Sequence, residues 1–179
     1  MRKIMKNCLL GLLVLMLAGC KEEQQLEEKK EEIRGNCVVT ECIKKIETTN
    51  SVEEINEIIG FEGEKSAYSD THQWKLSDKT WITRDNTGTN PILQANIDKE
   101  TIKNDQVDLS AYSDIKKLLD NGTSLTYEEM VTKLGGVEGT LAGKTSTSNR
   151  YIWVDKSSRT FSATFSKTAE GKCTIISLK

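Results

Sequence analysis

The chain reads as an α+β protein made of two tandem units, each with two helices followed by four antiparallel strands, the helices packed on one face of the sheet. Two observations predict this. A helix start-and-stop pattern occurs twice, at Ser51-Val-Glu-Glu54 through Gly60 and at Thr126-Tyr-Glu-Glu129 through Gly135, with an offset of 75 residues. Each copy then runs into a β-rich stretch whose second segment carries a Trp, Trp74 or Trp153, at an offset of 79. Self-similarity at a fixed spacing is the signature of a repeated structural unit.

Before the first unit lie two segments of other character. Met1 to Lys6 carries Arg2, Lys3 and Lys6 with no acid, and Leu9 to Leu17 is almost wholly apolar. A positive start, a short apolar run and small residues before a cut site make a secretory signal over residues 1–19. The run is too short to span a bilayer, which takes about 20 apolar residues. It ends in Leu17-Ala18-Gly19-Cys20, which resembles the bacterial lipobox, in which the Cys is lipidated and becomes the first residue. That resemblance implies several acyl chains on Cys20, and durable anchoring needs more than one chain. Residues 20–35 then form a charged tether. Lys21 to Arg34 offers only Leu26 and Ile33 as large apolar side chains, too few to offset the entropy of ordering. Fully extended, this segment reaches roughly 50 Å.

The first unit is expected over residues 36–98. Cys42, Ile43 and Ile46 mark its first helix, and Thr48-Thr49-Asn50 ends it. Ser51 and Glu54 form a capping box, in which the hydroxyl accepts from a first-turn N–H and the Glu reaches back to the cap. Val52, Ile55, Ile58 and Ile59 lie on one stripe of the second helix, and Gly60 supplies a left-handed stop. Strands follow near 63–69, 72–77, 79–85 and 92–98, parted by Ser69-Asp70, Ser77-Asp78 and Asn86-Thr-Gly88. Residues 99–112 are read as a linker. The second unit, 113–179, repeats the plan: Ile115, Leu118 and Leu119 before Asn121-Gly122, then the capping box of Thr126 and Glu129, and the stop at Gly135. Its strands are placed at 138–144, 148–155, 158–166 and 172–178. Thr160 to Ser166 alternates strictly and puts Phe161, Ala163 and Phe165 on one face. Trp81 is matched with Phe161. A unit of about 70 residues is marginal alone, and joining two sheets edge to edge removes one pair of open edges, so a single body is expected.

This helix pair with its Thr-x-Glu-Glu-x-Val-x-x-Leu-Gly-Gly signature, at Thr126 to Gly136, resembles the β-lactamase-inhibitor-protein-like lipoproteins, as do the Trp-bearing strands and the duplication behind a lipobox. The resemblance covers about residues 37–179. Single-unit cousins include small outer-membrane assembly lipoproteins, which implies a structural subunit of an envelope complex as an alternative role. Inhibition of an enzyme is the other role it raises. The nearest acidic hairpin turn, at Asp78, has Lys79 beside it, and the turn Asp155 to Ser158 has no exposed aromatic. A turn Asp is commonly there to bond its own backbone, and fold likeness alone does not carry function.

Composition narrows the function further. The full chain has 25 basic and 27 acidic residues. Removing the leader takes three basic ones, which leaves 22 against 27 and a net charge of about −5. There is no basic footprint for nucleic acid, and membrane attachment falls to the lipid. The lone imidazole, His72, has no Cys or acidic set at metal spacing, and no phosphate-cradling Gly loop or nucleophile elbow occurs. Glu53-Glu54 and Glu128-Glu129 are explained by capping and the helix N-terminus. No enzyme activity and no cofactor are expected. Cys37, Cys42 and Cys173 remain. Were Cys37 and Cys42 both helical they would not bridge, which leaves a bridge from Cys173 to one of them, or small buried thiols. Trp74 and Trp153 share their face with Leu76 and Tyr151 and are read as core. The opposite face would carry Gln73, Lys75, Ile82, Arg84, Arg150, Ile152 and Val154, a mixed surface with Arg as an interface anchor. The expected function is a lipid-anchored, extracytoplasmic, non-enzymatic module that binds a protein or ligand on that face.

Overall fold

A computed structural model describes Gly35, residues 37–168 and residues 171–179. The leader, Cys20 and the tether to Arg34 lie outside the described residues.

Helix α1 (Val39–Lys45) turns Val39, Cys42 and Ile43 into the interior. Its N-cap, Val38, has an extended backbone and no side-chain cap. Cys37, just before it, is bridged to Cys42 across a Cα–Cα distance of 5.7 Å. The expectation that these two could not pair assumed that both are helical. Cys37 instead lies outside the helix, where the chain has turned and brings its sulfur back over the first turn. Cys173 is a free, buried thiol.

Helix α2 (Val52–Ile59) opens on the capping box of Ser51 and Glu54 and closes on Gly60 in the left-handed conformation, φ 94°. Strands β1 (Glu64–Lys65), β2 (Thr71–Lys75), β3 (Trp81–Asp85) and β4 (Ile92–Asn96) follow. The connecting segment is more structured than a linker. It holds a short helix α3 (Lys99–Ile102), capped by Asp98, and a 3-10 turn at Leu109–Ala111 capped by Asp108. Helix α4 (Tyr112–Asp120) buries Ile115, and α5 (Tyr127–Lys133) opens on the capping box of Thr126 and Glu129. Four strands complete the chain: β5 (Thr140–Lys144), β6 (Ser148–Val154), β7 (Thr160–Ser166) and β8 (Cys173–Leu178).

All eight strands form one antiparallel sheet in chain order. The fold class is therefore α+β, helices with an eight-stranded antiparallel sheet. β1 to β4 and β5 to β8 each run as a meander, and the helical segment 97–139 brings the chain back so that β5 lies antiparallel beside β4. The seam between the fourth and fifth strands is thin, with Leu93 opposite Lys144 and Gln94 opposite Gly143. A buried cation reinforces it. Lys144, 7% exposed, donates from Nζ to the carbonyls of Lys44 and Ile46 and to Glu47 Oε1, each at 2.9 Å. Carbonyls at a helix C-terminus lack intrahelical partners and attract a cation. Lys144 thus fastens α1 to β5.

Alternation decides which side chains face the helices. Trp74 Nε1 donates to Asn56 Oδ1 of α2 at 2.7 Å, and Tyr151 packs against Tyr127 of α5, the rings tilted by 40° with centroids 4.5 Å apart. Trp74, Ile82, Leu93 and Ala95 join α1 and α2 in one core. Trp153, Phe161, Ala163 and Phe165 join α4 and α5 in a second. Trp81 is not the counterpart of Phe161. Ile82 pairs with Trp74 as Phe161 pairs with Trp153, and Trp81 pairs with Lys75 on the other side.

Candidate functional site

The side of the sheet turned from the helices is the one surface that the fold builds from all eight strands. In an antiparallel sheet one face can pack on a core while the other meets solvent. A continuous row crosses it: Glu64, Gln73, Thr83, Gln94, Gly143, Arg150, Thr164 and Ile175, each opposite the next in register. Lys75, Trp81 and Asn96 make a parallel row in the first half, and Ile152, Ser162 and Ser177 make one in the second.

Arg150 is the sixth of the eight residues in the long row. Gly143 beside it has no side chain, and a Cβ there would meet Arg150 Nε at 3.4 Å. The guanidinium therefore lies across the glycine. Arg150 Nη2 donates to the Ala142 carbonyl at 3.2 Å, and among the described residues it has no carboxylate partner. Ala142 is the extra residue where the β5–β6 register shifts, which turns its carbonyl out of the ladder. Burial holds the guanidinium below the ordinary arginine value, yet an arginine stays charged in any such setting. A partly desolvated cation with spare donors recognises a carboxylate in bidentate fashion. Apolar side chains share the face with it: Ile152, two residues on in the same strand, and Trp81, three strands away, are half-buried, Ile175 is 66% exposed and Ile92 37%.

The seven residues assigned to this face from sequence divide unequally. Gln73, Lys75, Arg150 and Ile152 lie on it. Ile82 is fully buried opposite Trp74, and Arg84 stands opposite His72 on the helix side, where Nη1 donates to the Asn50 carbonyl. Those two were misplaced because the reading let the face change across the turn at Ser77-Asp78; the pairing of Lys75 with Trp81 fixes the register and swaps every side chain of β3. Val154 alternates onto the open side but is buried, since the connecting segment pairs there: Lys103 bridges Val154, and Asn104 N donates to the Val154 carbonyl at 2.9 Å. Trp81, Thr83, Gln94 and Ile175 were missed. The offset of 79 that relates the two tryptophans also relates Ile82 to Phe161, and carrying it through would have placed Trp81 outward.

Other polar groups have structural employment. Glu54 and Glu129 close their capping boxes with the Ser51 and Thr126 amides at 2.7 and 2.9 Å. The Ser51 amide and the Asn50 side chain together hold the Glu54 carboxyl below its usual value. Asp78 pairs with Lys75 at 3.0 Å. Burial pushes the Cys173 thiol up, away from the reactive thiolate. Among the described residues no cluster of three His, Cys, Asp or Glu is placed to hold a metal, and no helix is long and apolar enough to cross a membrane.

Comparison with family models, with curated proteins and with solved structures finds no match for this chain.

Proposed function

We propose that this protein is a non-enzymatic binding module, tethered to the outer side of a bacterial membrane through acylated Cys20, that holds a protein partner on the open face of its sheet. We further propose that its halves are tandem copies of one helix-helix-four-strand unit of the β-lactamase-inhibitor-protein-like kind. The observation that carries the binding reading is Arg150: a half-buried cation without a carboxylate among the described residues, on the open face of the sheet, two residues from Ile152 in its own strand and in one row with the exposed Ile175. Arginine is among the residue types that anchor interfaces. The partner is expected to present an acidic group there.

Two features support the compartment. The lipobox-like Leu17-Ala18-Gly19-Cys20 follows an apolar run of signal length. The bridge between Cys37 and Cys42 belongs to an oxidising environment rather than to the cytosol. In the lipoprotein reading, mass spectrometry of the mature N-terminus finds acyl mass on Cys20, and Cys20→Ala releases the protein or leaves it as precursor. A free, unmodified Cys20 in membrane-extracted protein removes the anchor.

The binding reading is tested with a photo-crosslinking amino acid at Gln73 or Thr164 of the intact protein in its native membrane, with Glu57 on the helix side as control. Open-face positions should trap one discrete partner, and Arg150→Glu should abolish it while leaving the fold intact. Equal trapping from Glu57, or trapping indifferent to Arg150→Glu, sinks the assignment of the face. A partner recovered in fixed ratio with several envelope proteins would favour the structural-subunit role. Sub-micromolar inhibition of a β-lactamase, lost in Asp78→Ala, would favour the inhibitor role instead.

A further inference from the structure

The two edges of the sheet are built differently. One edge, β1, is two residues long and charged, Glu64–Lys65, with Lys65 paired to Asp70 at 3.3 Å. The other edge, β8, runs six residues, Cys173-Thr-Ile-Ile-Ser-Leu178, with no charge between Lys172 and Lys179. Short, charged edges resist pairing with another strand, and long uncharged β-branched ones invite it. Thr160 and Lys179 exchange both backbone bonds, at 2.8 and 2.9 Å. Every second residue of an antiparallel pair does so, and Ser177 and Ile175 therefore also direct their backbone groups at β7, opposite Ser162 and Thr164. The N–H and C=O groups of Ile176 and Leu178 point the other way, off the edge. The Cys173 end of β8 is already covered, since its N–H donates to the Leu125 carbonyl at 2.7 Å.

We propose that a second copy of this chain adds to that edge, β8 against β8 about a two-fold axis at Ser177, to make one continuous sheet across a dimer. Symmetry admits only registers in which outward-directed residues meet outward-directed ones. Of these, the register centred on Ser177 uses the regular backbone of Ile176 and Leu178 and avoids the irregularity at Thr164/Phe165. It sets Ile176 against Leu178 of the second copy, on the helix side, where both already pack on the second core. It sets Ile175, 66% exposed, against the stem of Lys179 of the second copy on the open side. No lysine faces a lysine, so the strand is complementary to itself in charge as well as in backbone pattern. β1 cannot serve as the acceptor, because two residues present too few groups, and the assembly closes at two.

The test uses the full-length chain in mild detergent. Sedimentation, with the detergent contribution subtracted, is expected to show a reversible dimer. Ser177→Lys opposes two like charges across the axis while costing the fold only the Ser162–Ser177 hydroxyl contact at 2.9 Å. It should weaken dimerisation at least about fivefold, and mixing it with Ser177→Glu should restore a mixed dimer. Ser177→Cys should crosslink to itself under a mild oxidant, because residues of a non-hydrogen-bonded pair are the closest across the strands; Ile175→Cys should not. A monomer at every concentration overturns the proposal, as does a dimer indifferent to Ser177→Lys. Equal crosslinking by both cysteine variants overturns the register, and assemblies that grow beyond two overturn the two-fold axis.

Discussion

Trp74 and Trp153 stand on the second strand of their respective halves and are held by different means. Trp74 Nε1 donates to a side chain, Asn56 Oδ1 at 2.7 Å, and the same oxygen also accepts from the Gly63 amide at 3.0 Å. Trp153 Nε1 donates to a backbone carbonyl, that of Val137, at 2.8 Å. The steric arrangement, by contrast, is the same. Gly63 and Gly139 lie flat against their indoles, and a Cβ at either would come within 2.5 Å of the ring. A buried indole needs a close apolar surface and an acceptor for its N–H. A glycine supplies the surface in both halves, over the pyrrole ring of Trp74 and the benzene ring of Trp153, while any well-placed oxygen satisfies the acceptor.

The largest test of that comparison removes the rings. Trp153→Ala and Trp74→Ala should each cost about 3–5 kcal/mol of unfolding free energy in urea, the range for large-to-small changes at fully packed aromatic sites. A loss below about 0.5 kcal/mol at either would mean that the ring is not core. A large loss at one site only would mean that the two platforms are not alike. Next in size, Gly63→Ala and Gly139→Ala insert a methyl into a space the ring occupies. Each should cost about 1–3 kcal/mol through overpacking. The pair should agree closely, since the contact distance is the same. Tolerance of one and not the other would show that its Trp can slide, and near-ultraviolet circular dichroism of the indole would report that shift.

Much of this was legible in the sequence, and the parts that were not share a cause. The capping boxes at Ser51 and Thr126 could be read because two side chains three positions apart and one turn of backbone determine them. The inward Phe161, Ala163 and Phe165 could be read because a period of two is a local pattern. The face of β3 could not, because it depends on how the turn from Leu76 to Thr80 closes: the amides of Leu76 and Ser77 both donate to the Thr80 carbonyl at 3.0 Å. One residue more or less there inverts the strand. The bridge of Cys37 to Cys42 depended in the same way on where α1 begins. For the open face, the outward cations of β2 and β6 were visible as alternation; the glycine under Arg150 and the covering of Val154 by Lys103 and Asn104 arise from pairings with strands and segments distant in sequence.

The turn from Leu76 to Thr80 and its counterpart from Asp155 to Arg159, where the Asp155 amide donates to the Arg159 carbonyl at 3.1 Å, supply the smallest contrast. Residue 76, which precedes the first turn, is Leu76, buried at 5% exposure; 79 residues on stands Asp155, buried at 3%. Asp155 Oδ1 accepts from the amides of Ser157 and Arg159, each at 2.9 Å, and Oδ2 meets Arg159 Nη2 at 2.7 Å. Burial alone pushes this carboxyl up. The Arg159 side chain and the two amides outweigh burial and hold it below its ordinary value. A carboxyl lowered in the folded state favours folding at any pH above its unfolded value, about 3.9, and that contribution fades as pH falls through the folded value. Wild type should therefore exceed Asp155→Asn in stability by about 1 kcal/mol at pH 7, the scale of a charge-assisted bond net of desolvation. The gap should hold to about pH 4 and narrow below it. The carboxyls of Glu53, Glu54, Asp85 and Asp108 are also lowered, but they are common to both proteins and cancel in the difference. Urea unfolding of the two proteins at pH 7, 4 and 2.5 measures it. A gap that stays constant down to pH 2.5 would show that the shape of Asp155, and not its charge, organises the second turn, which would make it the polar equivalent of Leu76 after all.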